Sequence, residues 1–383
     1  MGRNLTVINT PKRNEIKLDK QSGIFNNGLD NAYPQLIERL INGSVSARTA
    51  SDMLKKFIIG NGFEQDGLNN TVIYSNFMGE TTLYDLLSQV AGNIAKHRGA
   101  YVQVQLNMNG KITALKHIPY RDVRLGKSDS NGYSGKLHVY NNWDKQNGKF
   151  DKEKIQKIDV FNPILEVIKK QMEQERWQGQ IAYLFLDDEY VYPLATIDCV
   201  REDSDTENQI ELFKNGELRR GFFAKYIFYH GYHENEQDAI EFNKKLESFF
   251  GGGHEKSVIT MEAEFDKEGK FVADSNLNVV KLDQNINDKI FESYEQSCKK
   301  NICKAHLGLP NFLVDSNDSS AFAQSGESFV QGFNFYNTQT KDIRVKVGQW
   351  FSKIMKHHEN AELATADYKI SPLSYESVQP TKL

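Results

Sequence analysis

Acidic residues gather at one place in the sequence, in a pattern that could hold a divalent cation. The run REDSDTE covers residues 201–207, and Glu211 follows one helical turn later. Carboxylate oxygens suit Mg²⁺, and bound metal ions can assist phosphodiester cleavage. The cluster 202–211 therefore supports the hypothesis of a metal-dependent nuclease. Neighbouring carboxylates on a helix are also typical of a solvated face or of the wall of a charged channel. The candidate ligands are Glu202, Asp203, Asp205 and Glu207.

Other reactive side chains occur in patterns with simpler explanations. An S-x-x-K match at 297–300 is short enough to arise by chance, and His230 and His233 flank the end of a predicted strand. Cys298 and Cys303 are five residues apart on a predicted helix, which favours core packing. The sequence has no phosphate-binding loop, dinucleotide fingerprint, H-E-x-x-H or G-x-S-x-G motif. We therefore expect no enzymatic activity and no cofactor.

Composition and charge limit the class of protein. The chain has 383 residues, 39% of them hydrophobic and 26% charged, which allows two or three cores and is too polar for a membrane protein. Its three cysteines form no CxxC pair, which suits a reducing compartment. The formal net charge is −4, whereas proteins that hold nucleic acid in place are usually basic. Static binding of nucleic acid is therefore not expected.

The first half of the chain alternates between helical and strand patterns. Residues 1–30 are polar and predict an arm without a core of its own. Apolar spacing predicts a short helix that closes at 42–43, a second at 45–59 behind the cap Ser44, and a third behind Thr81. Strands are predicted at 101–106, 112–118, 137–140 and 180–186, with a helix at 163–175. This half is therefore an α+β domain.

The second half contains long helices. One is predicted to begin at Pro193 and run to about residue 215, and another covers 285–307 and ends at Gly308 and Pro310. Between them lie a strand at 222–230, a helix at 234–250 and strands at 257–261 and 278–282. A polar loop is predicted at 315–325. A single apolar stripe then continues through 329–354, which predicts one long helix.

Short motifs along the chain stand in a characteristic order. The first half contains NAYPQL at 31–36, SVSAR at 44–48 and FIIGNGF at 57–63. The second half contains YP at 192–193, NG at 215–216, GLP at 308–310 and the start of a long helix at 325–333. In order and spacing this set resembles the portal proteins of tailed bacteriophages, and the resemblance covers residues 31–358.

The resemblance implies an α+β, portal-type subunit with a wing, long stem helices, a small α/β clip and a crown. Few residues follow residue 358, so we expect a reduced crown. The implied divisions are an N-terminal arm (1–30), an α+β wing (31–191), stem helix 1 (192–215), the clip (216–284), stem helix 2 (285–308), the tunnel loop (309–325), a long wing or crown helix (326–358) and a short C-terminal crown or tail (359–383).

The resemblance also implies a location and partners. The chain would form a ring of twelve copies at one capsid vertex of a virion, after assembly in the host cytoplasm, with no membrane partner. Double-stranded DNA would pass through the ring during packaging and ejection. The terminase large subunit, the major capsid protein and a head-tail adaptor would dock on it.

Three groups of residues carry the expected roles. The tunnel loop offers small, mostly neutral hydrogen-bonding groups, whose weak contacts with phosphates would not stall moving DNA. We expect the loop to act through Asp315, Asn317, Ser319, Ser320 and Gln324. We expect the channel face of stem helix 2 to carry Glu292, Lys299, Lys300 and Lys304, and the clip to dock partners through Arg219, Arg220 and Lys225.

Simple geometry tests whether such a ring could pass DNA. Twelve helices packed about 9 Å apart form a circle of about 34 Å between axes. Subtracting one helix diameter of about 10 Å leaves an opening of about 24 Å, enough for a duplex of roughly 20 Å. Two alternatives to this reading remain open: the metal-dependent nuclease, and a ring-forming structural adaptor without DNA passage.

Overall fold

The computed structural model describes residues 18–19, 23–127, 135–143, 152–187, 191–220, 226–230, 237, 240–241, 244, 258–262, 288–314 and 326–374. The chain divides into two compact units. The first consists of Met1–Asp205 and Lys299–Leu383, and the second of Thr206–Cys298. No helix of the described residues is long and apolar enough to cross a membrane.

Three helices form one layer of the first unit: α1 (Tyr33–Gly43), α2 (Val45–Ile59) and α3 (Leu83–His97). The predicted cap of α2 is confirmed, because Ser44 Oγ accepts a hydrogen bond from Ala47 N at 3.0 Å. The predicted cap of α3 is wrong by one residue. Thr82 caps this helix, and Thr82 and Asp85 bond each other's backbone N–H groups reciprocally at 3.1 and 3.0 Å.

Strands supply the rest of the first unit. Two small antiparallel pairs are β1 (Leu18–Asp19) with β2 (Ile24–Phe25), and β3 (Val72–Asn76) with β4 (Gly79–Thr82). The main sheet has the order β6-β5-β10-β9-β8-β7, and only β9 and β10 are parallel neighbours. The predicted α+β class is confirmed. The sheet strands are β5 (Gly99–Leu106), β6 (Ile112–Ile118), β7 (Val123–Leu125), β8 (Lys136–Val139), β9 (Gln156–Val160) and β10 (Gln180–Phe185), with α4 (Leu165–Met172) before β10.

The later part of the predicted N-terminal arm packs against this sheet. Ile24 and Asn27 are buried. The Tyr192 hydroxyl donates to the backbone oxygen of Phe25 and accepts from the N–H of Leu125, both at 2.7 Å. The prediction of an arm without a core is therefore wrong for residues 24–28, because a distant tyrosine joins this segment to the sheet. Residues 1–17 lie outside the described residues.

The helix predicted at 193–215 has different limits. A short 3-10 turn at Asp198–Val200 precedes α5 (Arg201–Arg220). The segment around Pro193 is not helical because its backbone bonds elsewhere: Ala195 N donates to the Tyr33 hydroxyl at 3.1 Å, and Thr196 N donates to Lys96 O at 3.2 Å. The helix also continues through Gly216, since one glycine costs a helix only about 1 kcal/mol.

The second unit contains a parallel strand pair, β11 (Tyr226–His230) and β12 (Val258–Glu262), in the register Tyr226↔Val258. Parallel neighbours need a crossover connection, and residues 237, 240–241 and 244 of that connection are helical. The strands predicted at 222–230 and 257–261 are confirmed where described. The strand predicted at 278–282 lies outside the described residues.

The last helices return to the first unit. They are α6 (Asp288–Ala305), α7 (Gly326–Gln339), α8 (Lys341–Met355) and α9 (Ala361–Thr365). The single long helix predicted at 326–358 ends at Met355, and two backbone bonds, Thr340 N to Tyr336 O at 3.1 Å and Arg344 N to Thr340 O at 3.2 Å, continue it across a one-residue interruption at Thr340. The Thr340 hydroxyl bonds the backbone oxygens of Tyr336 and Asn337 at 3.0 and 3.2 Å. The apolar stripe itself is confirmed by buried Phe333, Tyr336, Ile343, Val347, Trp350 and Ile354.

The chain after α9 belongs to the same core. Glu64 N donates to Lys369 O at 2.8 Å, and Ser371 N donates to Gly62 O at 2.9 Å. Gly60 makes this approach possible, because a Cβ there would lie 1.8 Å from Ser371 O. The predicted crown or tail, 359–383, thus contributes at least residues 363–371 to the first unit. Its role as a crown stays a prediction.

Candidate functional site

The candidate site is the end of α6, the start of α7 and the loop between them. All the predicted tunnel-loop residues, Asp315, Asn317, Ser319, Ser320 and Gln324, lie outside the described residues, as does Lys225. The chain on either side of the loop is described. The site can therefore be built from its two fixed ends.

The two ends of the loop contact each other. After α6 a short 3-10 turn, Asn311–Leu313, places the Phe312 ring 5.5 Å from that of Phe329 on α7. Gly332 accommodates the same ring, since a Cβ there would lie 2.2 Å from Phe312 Cζ. Residues 314 and 326 are thus held near one another by aromatic packing.

A left-handed turn ends α6 ahead of this contact. Leu307 and Gly308 both have positive φ, 60° and 67°. Gly308 N donates to Lys304 O and Leu309 N to Cys303 O, both at 3.0 Å, so the last carbonyls of the helix are satisfied. The stop predicted at Gly308 is confirmed, although Leu307 shares the strained conformation with it.

A buried histidine connects α6 to its neighbours. The His306 side chain lies with Nε2 3.1 Å from Ser51 Oγ on α2 and Nδ1 2.8 Å from Ile302 O. The Tyr336 hydroxyl on α7 donates to His306 O at 3.0 Å. Burial lowers the pKa of His306, which favours the neutral imidazole that can both donate and accept. The residue that follows α6 therefore joins α2, α6 and α7.

The four residues predicted on the channel face of α6 differ in how far they are exposed to solvent. Glu292, Lys300 and Lys304 are exposed, whereas Lys299 is half-buried. Lys299 is on the side of the helix that also carries buried Cys303, four residues on. Lys300 and Lys304 are one turn apart on the exposed side. Their orientation toward a channel stays a prediction.

The acidic cluster does not converge on one point. In the first unit, Asp203 Oδ1 accepts a hydrogen bond from Asn301 Nδ2 of α6 at 3.0 Å, while Glu202 and Asp205 are exposed. Among the described residues, no group of three or more histidine, cysteine or acidic side chains could hold a metal ion. Asp203 thus acts as a contact between α5 and α6, a role that its sequence pattern did not indicate.

Helices α5 and α6 also pair in the second unit. The Phe213 and Phe291 rings stack at 5.4 Å, and the Lys214 ammonium pairs with the Glu295 carboxylate. Tyr294 nevertheless remains 56% exposed, and Leu212 remains 55% exposed. Arg219 and Arg220, the predicted docking residues, form the end of α5. The helix pair thus carries exposed apolar side chains.

Sequence reasoning missed the residues that fix the loop ends and the helix contacts. No role was predicted for His306 or Asn301. The packing of Phe312 against Phe329 and Gly332 joins residues on either side of a polar stretch, so no local pattern indicates it. No local signal distinguishes Asn301 from an exposed helical asparagine.

Comparisons with known proteins find similar solved structures and no similar sequence family. No family model matches the sequence, and no curated protein matches it significantly. Among solved structures, a chain in the neck of an empty gene transfer agent particle, computed with C6 symmetry, is 11% identical. The match covers 84% of this chain and 81% of that one, with a TM-score of 0.50. The two chains share a fold.

Other structures match with lower scores. A chain of the virion of the native gene transfer agent particle is 13% identical, with 88% of this chain and 82% of that chain covered and a TM-score of 0.49. An HK97-family phage portal protein from Corynebacterium diphtheriae is 11% identical, with 88% and 95% covered and a TM-score of 0.42.

Proposed function

We propose that this chain is a portal subunit that assembles into a ring at one vertex of a capsid. The observation that carries the proposal is the fold shared with a chain in a gene transfer agent neck over 84% of this chain. The resemblance of the sequence motifs to portal proteins agrees with it. In this role the chain belongs to the virion and catalyses no reaction.

In this proposal α5 and α6 are the two stem helices. They contact each other through Asp203 and Asn301 in the first unit, and through Phe213 and Phe291 in the second. Their limits, Arg201–Arg220 and Asp288–Ala305, replace the predicted 192–215 and 285–308. The 18 residues of α6 span about 27 Å. Twelve copies, each lining the channel with one of these helices, would enclose an opening of about 24 Å, wide enough for double-stranded DNA.

The loop between α6 and α7 would face this opening. Its ends are held by Phe312, Phe329 and Gly332, so the loop would project from a fixed base. Neutral side chains such as Asn317 and Ser319 would contact phosphates weakly and let DNA slide. Lys300 and Lys304 would add only sparse positive charge on the stem.

The clip predicted at 216–284 would lie within the second unit, and its first residues, through Arg220, belong to the end of α5. Arg219, Arg220 and Lys225 would give it a basic surface for docking. The expected partners are the terminase large subunit during packaging and a head-tail adaptor afterwards. The first unit, with the wing, would contact the major capsid protein.

A charge-addition experiment tests the channel role. Replacing Asn317, Ser319 and Ser320 with lysine should slow or trap DNA in a packaging assay, because each lysine-phosphate contact must be broken as DNA moves. A matched control adds the same charge at exposed neutral residues of α7 and α8: Asn334, Gln339 and Gln349. Wild-type packaging by the loop variant would contradict a channel-facing loop. Equal slowing by both variants would show a general charge effect instead.

A further inference from the structure

The turn between β3 and β4 exposes two large apolar side chains. Phe77 is 97% exposed and Met78 is 81% exposed. Asn76 pairs with Gly79 in the register of this hairpin, so Phe77 and Met78 are the whole turn. Such turns usually contain asparagine, aspartate or glycine, which tolerate the backbone geometry and face water without cost. The fold does not require this pair, which we name the apolar tip.

The apolar tip is held firmly at its base. Asn76 Oδ1 accepts a hydrogen bond from Met78 N at 2.8 Å. Below it, the Ile73 side chain is buried, and the Lys116 ammonium lies 5.7 Å from the centre of the Tyr74 ring. The end of the hairpin leads directly into the capped start of α3. A rigid tip loses little conformational entropy on binding, which favours a role in association.

A second apolar surface lies elsewhere on the first unit. Met108, in the turn between β5 and β6, is 79% exposed, while Ile164 and Leu165, at the start of α4, are 55% and 41% exposed. The two segments touch, since a Cβ on Gly110 would lie 2.9 Å from Leu165 Cδ1. We name Met108, Ile164 and Leu165 the apolar patch.

We propose that the apolar tip of one copy binds the apolar patch of the next copy in the ring. This inference rests on the ring in the proposed function. Each copy carries one tip and one patch, and a head-to-tail contact that uses both can repeat around a closed ring. Exposed Glu80 follows the tip and exposed Lys111 follows the patch turn, so these two opposite charges can pair across the contact, while exposed Glu166 also borders the patch.

The size of the tip suits part of such an interface. Two exposed side chains of this kind offer about 300–400 Å² of apolar surface. That is the size of the largest apolar patches on typical monomers, which are often functional. It is about half of the roughly 800 Å² that each partner contributes to a stable interface. The tip is therefore an anchor within a larger contact.

Cysteine cross-linking tests the contact directly. The background variant is Cys199→Ser, because Cys199 is the exposed cysteine of this chain while Cys298 and Cys303 are buried. On it, Met78→Cys and Ile164→Cys are made singly and together, and assembled protein is treated with a short bismaleimide. The double variant should give a ladder of covalent multimers, and each single variant should remain monomeric. A dimer from Met78→Cys alone would overturn the head-to-tail contact.

The concentration dependence of assembly provides a second test of the same contact. The double substitution Phe77→Ser and Met78→Ser should raise the protein concentration at half-assembly by about tenfold or more, as expected for loss of an interface anchor. Leu29→Ser is the matched control, because Leu29 is 70% exposed on the same unit and belongs to neither surface. Circular dichroism of the variant as monomer shows whether it is folded.

The outcomes separate this inference from the proposed function. If wild-type protein forms rings, but the tip variant assembles normally and the double cysteine variant gives no ladder, the inference is overturned and the ring stands. A tip that binds some other virion protein would give this result. If wild-type protein stays monomeric at micromolar concentration, the ring and the inference both fail.

Discussion

Replacing Arg344 should destabilise the first unit strongly, because its guanidinium caps the C-terminal ends of two helices. Arg344 is buried on α8. Its Nη1 donates to Phe57 O at 2.8 Å and to the Thr340 hydroxyl at 2.6 Å, and its Nη2 donates to Asn337 O at 2.7 Å. Phe57 and Asn337 lie in the last turns of α2 and α7. Carbonyls there have no partner within their helix and favour a positive charge.

The expected size of the effect follows from these bonds. Arg344→Ala leaves the buried Phe57 carbonyl without its donor, which costs about 1–3 kcal/mol, and removes the charged donor to Asn337 O, which keeps its bond from the Thr340 hydroxyl. Loss of the side chain from a packed site adds to this, so we expect a decrease of about 2–4 kcal/mol in the free energy of unfolding. Arg344→Lys keeps the charge but not the planar fork, so it should cost about half as much.

Urea unfolding followed by tryptophan fluorescence measures this effect. All three tryptophans, Trp143, Trp177 and Trp350, belong to the first unit, so the signal reports on the unit that contains Arg344. Lys353→Ala, an exposed change on the same helix, should stay within about 0.5 kcal/mol of wild type. A loss below about 1 kcal/mol for Arg344→Ala would refute the role of this side chain as a shared helix cap.

Three smaller predictions use the same measurement. Thr82→Ala removes the cap of α3 and should cost about 1 kcal/mol. Gly60→Ala places a Cβ 1.8 Å from Ser371 O and should cost more than about 2 kcal/mol and speed proteolysis of the C-terminal segment; Gly23→Ala, with a similar φ but open space, should cost only about 1 kcal/mol. Burial lowers the pKa of His138 to about 4. The unfolded chain binds this proton near pH 6.5, so stability should fall as pH drops from 6.5 toward 4, and His138→Gln should flatten that slope.

Elements with local signals were predictable from the sequence. Helix α2 has the predicted limits, because Ser44 caps it and Gly60 takes a positive φ at its end. The β5–β6 hairpin follows from Asn109 and Gly110 between two alternating runs. In each case the deciding interactions lie within a few residues, so the sequence pattern contains them.

Elements decided by distant contacts were not predictable. The chain at 193–197 has a helical pattern, but Tyr33 and Lys96 bind its backbone. The interruption at Thr340 depends on Arg344, whose carbonyl partner on α2 is far away in sequence. The same holds for the candidate site: the polar character of the loop was visible in the sequence, whereas the packing of Phe312 against α7 that fixes its ends was not.

The most direct test of the proposed DNA channel is the shape of the assembled protein. Electron microscopy of the purified full-length chain should show closed rings with a central opening of about 24 Å, the value expected for twelve packed stem helices. Recombinant rings that differ by one subunit would still agree, since they would pass a duplex. Monomers alone, or rings with an opening narrower than the roughly 20 Å of a DNA duplex, would contradict the proposal that this chain forms a DNA channel.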